Sequence, residues 1–325
     1  MKFHTEVAIP PSSWTIRHDD RLLLLGSCFA DTIGARLVRA GFQAEVNPFG
    51  TLYNPVSLAD VLTRLLDGSP FVLADMQPFG AEGWGSWMSH SLLSRPTAAE
   101  ALAIHNERLA AAARQLREAS VLLITFGTAW AYRLKGASFV ANCHHEPAER
   151  FVRERLTVSD IVGRWRPLLQ RLADGCPRLR VLFTVSPIRH LRDGAHANQL
   201  SKATLLLAVD ELEDMSSYFP SYEIVLDELR DYRFYADDMA HPSAQAVDYI
   251  WERFADSYFD ESTRRAARRI EDVHKALEHR PLHPESDEYR QFVRQTMLKI
   301  AEIQKEFPYF DAGKLIDQCH TLLNN

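Results

Sequence analysis

Residues 21–30 read RLLLLGSCFA, a short apolar run that stops at a glycine and a serine. A continuous run of this kind is typical of a parallel strand that is buried on both faces. Phe29, Ile33 and Leu37 then recur at the spacing of one face of a helix. The stretch therefore predicts a strand, a tight turn that carries Ser27, and a helix.

Four further apolar runs alternate with amphipathic helices along the chain. They predict strands at 42–46, 120–126, 179–185 and 222–227. Strands that alternate with helices are typical of a doubly wound parallel sheet. We therefore expect a three-layer α/β/α fold with a five-stranded parallel sheet.

The chain divides into predicted parts of different character. Residues 1–20 are predicted as an N-terminal arm, 21–259 as the α/β domain and 260–325 as a helical C-terminal appendage. An insertion at about 69–96 is irregular and rich in aromatic residues and glycine. It either shapes a functional site or packs its aromatic side chains on the sheet edge.

Several helix ends carry recognisable capping residues. Asn54 is predicted to cap a helix that begins at Pro55 and ends at Gly68. Thr97 and Glu100 have the spacing of a capping box before an alanine-rich helix. These positions fix the expected starts of two helices.

Composition excludes some classes of function. The 325 residues carry a formal net charge of -6, so the chain has no basic field and nucleic acid is not an expected partner. The cysteines are far apart and lack Cys-x-x-Cys spacing, which indicates free thiols in a reducing compartment. Neither a signal-peptide pattern nor a membrane-spanning run is present in the sequence. We therefore expect a cytoplasmic protein.

Polar residues follow each predicted strand, where the carboxyl ends of a parallel sheet share one rim. Among them, Asp238 and His241 are three residues apart, so one turn can present both side chains in the same direction. Ser27 is then the candidate nucleophile, His241 the general base and Asp238 the residue that orients it. Asp237 is an alternative to Asp238. Ser27 can also serve only as a helix cap, and Asp238 only as a turn residue beside a surface histidine.

An acyl-transfer nucleophile also needs hydrogen-bond donors for the developing oxyanion. The backbone N–H groups of Ser27 and Gly50 are the candidates, because glycine lets the backbone approach a ligand closely. Gly50 can equally serve only the turn around it.

Residues 26–30 spell the motif of the GSCFA family, and the chain resembles that family from about residue 21 to 254. Its other blocks are similar to 47–55 (NPFGTLYNP), 127–130 (GTAW), 142–144 (NCH), 186–190 (SPIRH) and 201–202 (SK). The family in turn resembles the SGNH (GDSL-like) hydrolases, whose first block carries a serine and whose last carries Asp-x-x-His. The resemblance implies a flavodoxin-like sheet and matches Ser27, Gly50, Asp238 and His241 to the SGNH positions.

One block departs from the SGNH pattern. SGNH enzymes have Gly-x-Asn-Asp in the third block and use the asparagine in the oxyanion hole, whereas residues 127–130 contain no asparagine. Thr128 or Asn142 then supplies the missing donor, or the hole is built differently, or the protein is not an active hydrolase. Cys28 is an alternative nucleophile, since a helix N-terminus lowers the pKa of a thiol. We place Ser27 first because neighbouring residues point about 100° apart on a helix and the resemblance favours the serine.

The resulting expectation is a serine-dependent hydrolase of a small-molecule or glycan acyl ester, acting through an acyl-enzyme without a cofactor. Alternatives are an acyltransferase to a sugar or other hydroxyl, with the aromatic insertion as acceptor platform, and a non-catalytic binding module. A histidine turned away from Ser27 would favour the binding module. The sequence leaves open whether the protein forms a homo-oligomer. The candidate substrate-binding residues are Asn47, Trp130, His144, Arg189, His190 and Lys202.

A metal site is not expected. The residues that would form one are separated without a recognised ligand spacing. They are Cys143, His144, His145, His190 and His196.

Overall fold

The computed structural model describes residues 4–324. In chain order the strands are β1 (Arg21–Gly26), β2 (Gln43–Val46), β3 (Gln77–Pro78), β4 (Trp84–Gly85), β5 (Val121–Phe126), β6 (Trp130–Leu134), β7 (Phe139–Val140), β8 (Phe151–Arg155), β9 (Arg180–Val185) and β10 (Ser217–Phe219). The helices are α1 (Cys28–Arg39), α2 (Pro55–Asp67), α3 (Ala98–Glu118), α4 (Val158–Gly175), α5 (Gly194–Asp210), α6 (Ser221–Glu223), α7 (Ala244–Tyr258), α8 (Glu261–Glu278), α9 (Asp287–Glu306) and α10 (Gly313–Asn324).

The predicted parallel sheet is confirmed. Five strands lie in the order β2-β1-β5-β9-β10, and all neighbouring pairs are parallel. Alternate residues of β1 point to opposite faces: Leu23 and Leu25 join one core with α2 to α5, and Leu22 and Leu24 join another with α1 and α7. The strand order reverses between β1 and β5, which is where ligands bind in folds of this kind.

Local sequence sets the helix starts as expected. The Asn54 side chain accepts a hydrogen bond from the Ser57 N–H at 2.9 Å, directly before Pro55. Thr97 and Glu100 form the predicted reciprocal capping box. These caps satisfy backbone N–H groups that have no partner within the helix.

The fifth strand lies elsewhere than predicted. β10 covers 217–219, and the predicted strand at 222–227 is instead helical, as α6 and a π-helical turn (Ile224–Glu228). A short apolar run does not distinguish a strand from a buried helix. Ile224, Val225 and Glu228 are buried, so the burial follows a helical spacing.

Two irregular regions have structure that the sequence pattern did not reveal. Residues 130–155 form a separate antiparallel sheet of β7, β6 and β8. The insertion at 69–96 contains the short β3–β4 hairpin and buries Phe71 and Phe79 almost completely. Those two rings pack inside the protein and are not presented to an acceptor.

The C-terminal helices α8, α9 and α10 share a hydrophobic core of their own. They also contact the α/β domain, where Arg39 forms an ion pair with Glu278. Between α9 and α10, the Tyr309 hydroxyl lies 3.0 Å from Nδ1 of His18 in the N-terminal arm. No helix between residues 4 and 324 is both long and apolar enough to cross a membrane.

Candidate active site

A single turn brings Asp238 and His241 together. The His241 Nδ1–H donates to Asp238 Oδ2 at 2.5 Å, and Asp238 Oδ1 accepts from the N–H groups of Ala240 and His241 at 2.9 Å. Hydrogen bonds from the backbone of His241 and Ala240, together with the imidazole, lower the pKa of Asp238 to about 2. The carboxylate therefore stays ionised and fixes the tautomer of His241.

The other ring nitrogen of His241 faces Cys28. Its Nε2 lies 3.6 Å from Cys28 Sγ, a contact of hydrogen-bond length for sulfur. Among residues 4–324 no hydrogen bond joins His241 to Ser27, so the structure does not contain the expected contact between those two side chains. Ser27 is only 2% exposed, and its Oγ accepts from the Phe29 N–H at 3.3 Å as the cap of α1.

The reason lies in the geometry of a helix start. Ser27 is the capping residue and Cys28 is the first residue of α1. Ser27 has an extended backbone (φ −70°, ψ 176°) and Cys28 begins the helix, so the two side chains leave the chain in different directions. The cap hydrogen bond holds Ser27 toward the helix backbone and leaves Cys28 toward the rim.

Cys28 is half-buried at the N-terminus of α1. Burial raises the pKa of its thiol, while its own N–H, the Phe29 N–H and the Lys202 charge act in the opposite direction. Asp31 lies one turn further along and adds negative charge that favours the neutral thiol. Burial also raises the pKa of Asp31, whose carboxylate accepts from Asn47 Nδ2 at 2.6 Å.

Gly50 and Asn47 serve the architecture of the rim. The Gly50 N–H donates to Asn47 O at 2.8 Å within the turn, so it is not directed at a developing oxyanion. A Cβ at Gly50, where φ is +77°, would come within 2.3 Å of the His90 Cβ. Asn47 Oδ1 accepts from the Gly26 N–H at 2.8 Å, which joins the turn to the end of β1. The Gly50 N–H is thus not available as an oxyanion donor, and the Asn47 side chain is not available to bind a substrate.

Of the two candidates for the missing asparagine, Thr128 has its hydroxyl engaged, and Asn142 has its side-chain oxygen engaged. The Thr128 Oγ1 accepts from the Trp130 N–H and lies 3.1 Å from Ser201 Oγ, while Asn142 Oδ1 accepts from the His144 N–H at 2.9 Å. The Ser27 N–H donates to Thr125 O at 3.3 Å. As the first residue of α1, Cys28 has an N–H without an acceptor inside the helix, and this group is the best placed donor.

Two predicted substrate-binding residues hold other parts of the structure. His144 is buried, with Nδ1 2.9 Å from Glu82 Oε2 and Nε2 2.9 Å from Ser86 O. Its ring stacks on Phe79 at 3.9 Å, which fastens the insertion to residues 142–145. The Trp130 ring is covered by the Arg153 guanidinium at 4.3 Å.

Arg189 supports the Asp238–His241 turn from the next loop. Its N–H donates to Ala240 O at 3.1 Å and its Nη1 to Met239 O at 3.3 Å. It also lines a cavity of about 260 Å³ with Tyr235 on the outer side of the turn. Arg189 is the predicted substrate-binding residue that lines this cavity.

His190 and Lys202 lie beneath the rim rather than on it. The Lys202 ammonium is completely buried and donates to Gly127 O at 2.7 Å and to Ser186 O at 2.6 Å. His190 Nε2 lies 3.1 Å from the same Gly127 oxygen. Burial, and in second place the Lys202 charge, lower the pKa of His190 to about 4, and burial lowers the pKa of Lys202 to about 7. Because its side chain is 0% exposed, Lys202 cannot contact a substrate.

Larger grooves of about 860 and 1080 Å³ run beside the N-terminal arm and contain none of the predicted site residues. Within residues 4–324, no three or more His, Cys, Asp and Glu side chains are grouped so that they could hold a metal ion.

A family model described as the GSCFA family matches residues 21–254. The chain belongs to the GSCFA family. A second model, described as the C-terminal domain of GSCFA domain proteins, matches residues 270–325. A comparison with curated proteins finds no match. In this GSCFA chain the family match contains the motif at 26–30 and the turn with Asp238 and His241.

The sequence placed Ser27 before Cys28 as the residue facing His241, whereas Cys28 is the one in contact with it, and Asp31 was not among the candidates. The signal for Asp31 was its spacing, because residues three apart on a helix share a face and Cys28 and Asp31 stand in that relation. The orientation of Cys28 had no such signal, since it depends on which residue caps α1.

Proposed function

We propose that this GSCFA protein is an acyl-transfer enzyme that hydrolyses an ester through a covalent acyl-enzyme, with Cys28 as the nucleophile. One observation carries the proposal: the imidazole of His241 connects the Asp238 carboxylate to the Cys28 sulfur, at 2.5 and 3.6 Å. A nucleophile, a base and an orienting carboxylate in series are the arrangement that activates a side chain for attack on a carbonyl.

The first half of the reaction forms a thioester. The Cys28 thiol proton passes to Nε2 of His241, and the sulfur attacks the carbonyl carbon of the ester. The bond from that carbon to the alcohol oxygen breaks, and Nε2 returns the proton to the leaving alcohol. The N–H of Cys28, at the positive end of α1, is placed to donate to the carbonyl oxygen as charge develops there.

The second half releases the acid. Water gives a proton to Nε2 of His241 while its oxygen attacks the thioester carbonyl, and the carbon–sulfur bond breaks. The proton then returns to the Cys28 sulfur. The side chains of Asp238 and His241 are 50% and 48% exposed, which leaves water free access to the imidazole. The same open rim would admit a small-molecule or glycan ester, and a hydroxyl acceptor in place of water would make the reaction a transfer.

The predicted serine nucleophile is the competing proposal, and three alanine variants separate the two. We expect Cys28→Ala to reduce p-nitrophenyl acetate turnover to background, because it removes the sulfur that faces His241. Ser27→Ala should keep turnover within a few-fold of wild type. Cys143→Ala is the matched control, since it removes another half-buried thiol.

Peptide mapping identifies the acylated residue independently. A fluorophosphonate label on Ser27, together with turnover that survives Cys28→Ala and is lost in Ser27→Ala, would contradict the cysteine assignment and support the serine. Turnover by neither the wild type nor any variant, with all of them folded, would favour the binding module instead.

The reducing cytoplasm is the compartment we propose. This is supported by the four cysteines, none of which is in a disulfide: Cys28, Cys143, Cys176 and Cys319.

A further inference from the structure

Lys202 has an unusual environment for a lysine. Its side chain is 0% exposed, and no carboxylate of residues 4–324 forms an ion pair with it. Its two acceptors are the carbonyl oxygens of Gly127 and Ser186, which directly follow β5 and β9. Burying an ammonium without a counter-ion costs several kcal/mol. A methionine could fill the same space without that cost, so the charge itself needs an explanation.

Gly127, whose carbonyl binds Lys202, lies next to Ser27, the residue that directly precedes Cys28. Gly26 of β1 pairs with Thr125 of β5, so the turn at 27–28 runs beside Gly127. A Cβ at Gly127 would be 3.3 Å from the Ser27 Cβ and 3.0 Å from Tyr53 O. The ammonium therefore holds the backbone on which the start of α1 rests.

Apart from His241, which becomes positive when it takes the thiol proton, the other groups around this region are negative or neutral. Lys202 is positive in its protonated form, and burial lowers its pKa to about 7. Asp31 and the Tyr53 hydroxyl lie on the Cys28 side, and neither provides positive charge. His190 shares the Gly127 oxygen, but its low pKa keeps it neutral near pH 7. His241 faces the sulfur from the rim and takes its proton. Lys202 thus supplies positive charge from beneath.

We propose that Lys202 is a positioning residue, whose buried ammonium stabilises the thiolate of Cys28 and holds the Gly127 backbone beneath it. The inference rests on the proposed role of Cys28 as the nucleophile. Ionisation of Cys28 gives the buried cation a nearby negative charge, so each charged form favours the other. The lysine acts through Cys28 and does not contact the substrate.

The test is the pH dependence of Cys28 alkylation by iodoacetamide, which needs no turnover. Peptide mass spectrometry quantifies Cys28 and Cys143 in the same sample, so Cys143 is an internal reference. We compare the wild type with Lys202→Met, which removes the charge and the donors, and with Lys202→Gln, which removes the charge and keeps a hydrogen-bond donor on a shorter side chain. Both variants should raise the midpoint for Cys28 by about one pH unit and slow its alkylation at pH 7 about tenfold. Cys143 should be unchanged.

An unchanged Cys28 midpoint in a folded variant, even one with a lowered Tm, would overturn the proposal and make Lys202 purely structural. If neither variant folds, the reciprocal measurement decides with Lys202 intact. The Lys202 titration is followed by NMR of [ε-¹³C]lysine in the wild type and in Cys28→Ala. The proposal requires a lower midpoint in Cys28→Ala, because the thiolate no longer favours the ammonium, and equal midpoints would overturn it. Loss of ester turnover is measured separately, so failure of the proposed function is not mistaken for failure of this inference.

Discussion

Two of the histidine–carboxylate pairs in the molecule differ in their surroundings. In one, His241 binds Asp238 through Nδ1, and its Nε2 faces a thiol at a half-exposed rim. In the other, His144 binds Glu82 through Nδ1, but its Nε2 meets the Ser86 carbonyl and the ring is buried.

The second ring nitrogen explains the difference. A carbonyl oxygen can only accept, so Nε2 of His144 donates its hydrogen to Ser86 O, while Nδ1 is occupied by Glu82. A ring held in that state cannot take a proton from a nucleophile. His241 has Nε2 opposite a sulfur that can give one up. A carboxylate beside a histidine is therefore insufficient evidence for a catalytic base; the partner of the other nitrogen decides.

The largest expected effect separates the two histidines directly. His241→Gln should reduce kcat for p-nitrophenyl acetate by at least about 100-fold, because the general base is lost. Its free energy of unfolding should change little, since the side chain is half exposed. Steady-state kinetics and urea unfolding measure the two quantities. Retention of kcat in this variant would remove the basis for distinguishing the pairs.

The matched substitution at the other pair should have the opposite signature. His144→Gln is expected to lower the free energy of unfolding by about 2 kcal/mol, because at least one charge-assisted hydrogen bond to a buried acceptor is lost. The value of kcat per folded molecule should stay within about twofold. A loss of kcat with unchanged stability would place His144 in the chemistry after all.

A third histidine extends the comparison to pH. Since burial lowers the pKa of His190 to about 4, the unfolded chain binds a proton on this residue before the folded chain does. Its contribution to stability is therefore complete above pH 6.5 and is lost as the pH falls toward 4. Between pH 7.5 and 5, we expect the wild type to lose about 1–2 kcal/mol more than His190→Gln. Buried His18 and His105 affect both proteins alike, so equal losses in urea titrations would contradict the assignment.

The smallest expected effect concerns Ser27, a polar residue beside the reactive pair that has a structural role. Ser27→Ala should lower the free energy of unfolding by about 1 kcal/mol through loss of the α1 cap. Urea unfolding measures this change, with Ser27→Thr as a variant that keeps the capping oxygen. An unchanged stability in Ser27→Ala would mean that the cap hydrogen bond is not important.

The sequence predicted the features that depend on local pattern. The β1–turn–α1 unit, the parallel sheet and the helix caps follow from apolar spacing and capping residues within a few positions. The Asp238–His241 turn is also local, because three residues separate its members.

Features that depend on long-range hydrogen bonds were harder to predict. The turn N–H of Gly50 and the side chain of Thr128 are engaged by partners that only the folded chain reveals. The same holds for Lys202, which looked like a substrate contact and is fully buried. Which of Ser27 and Cys28 faces His241 depends on which residue caps α1, and no spacing rule determines that.

The contact between Cys28 and His241 joins residues that are 213 positions apart. The histidine is followed by α7, which packs against the same core as α1. A chain still emerging from a ribosome therefore carries the cysteine long before the base that would activate it. Under the proposed mechanism, the thiol gains its general base only after residues 238–241 have been synthesised and their turn has docked beside the start of α1.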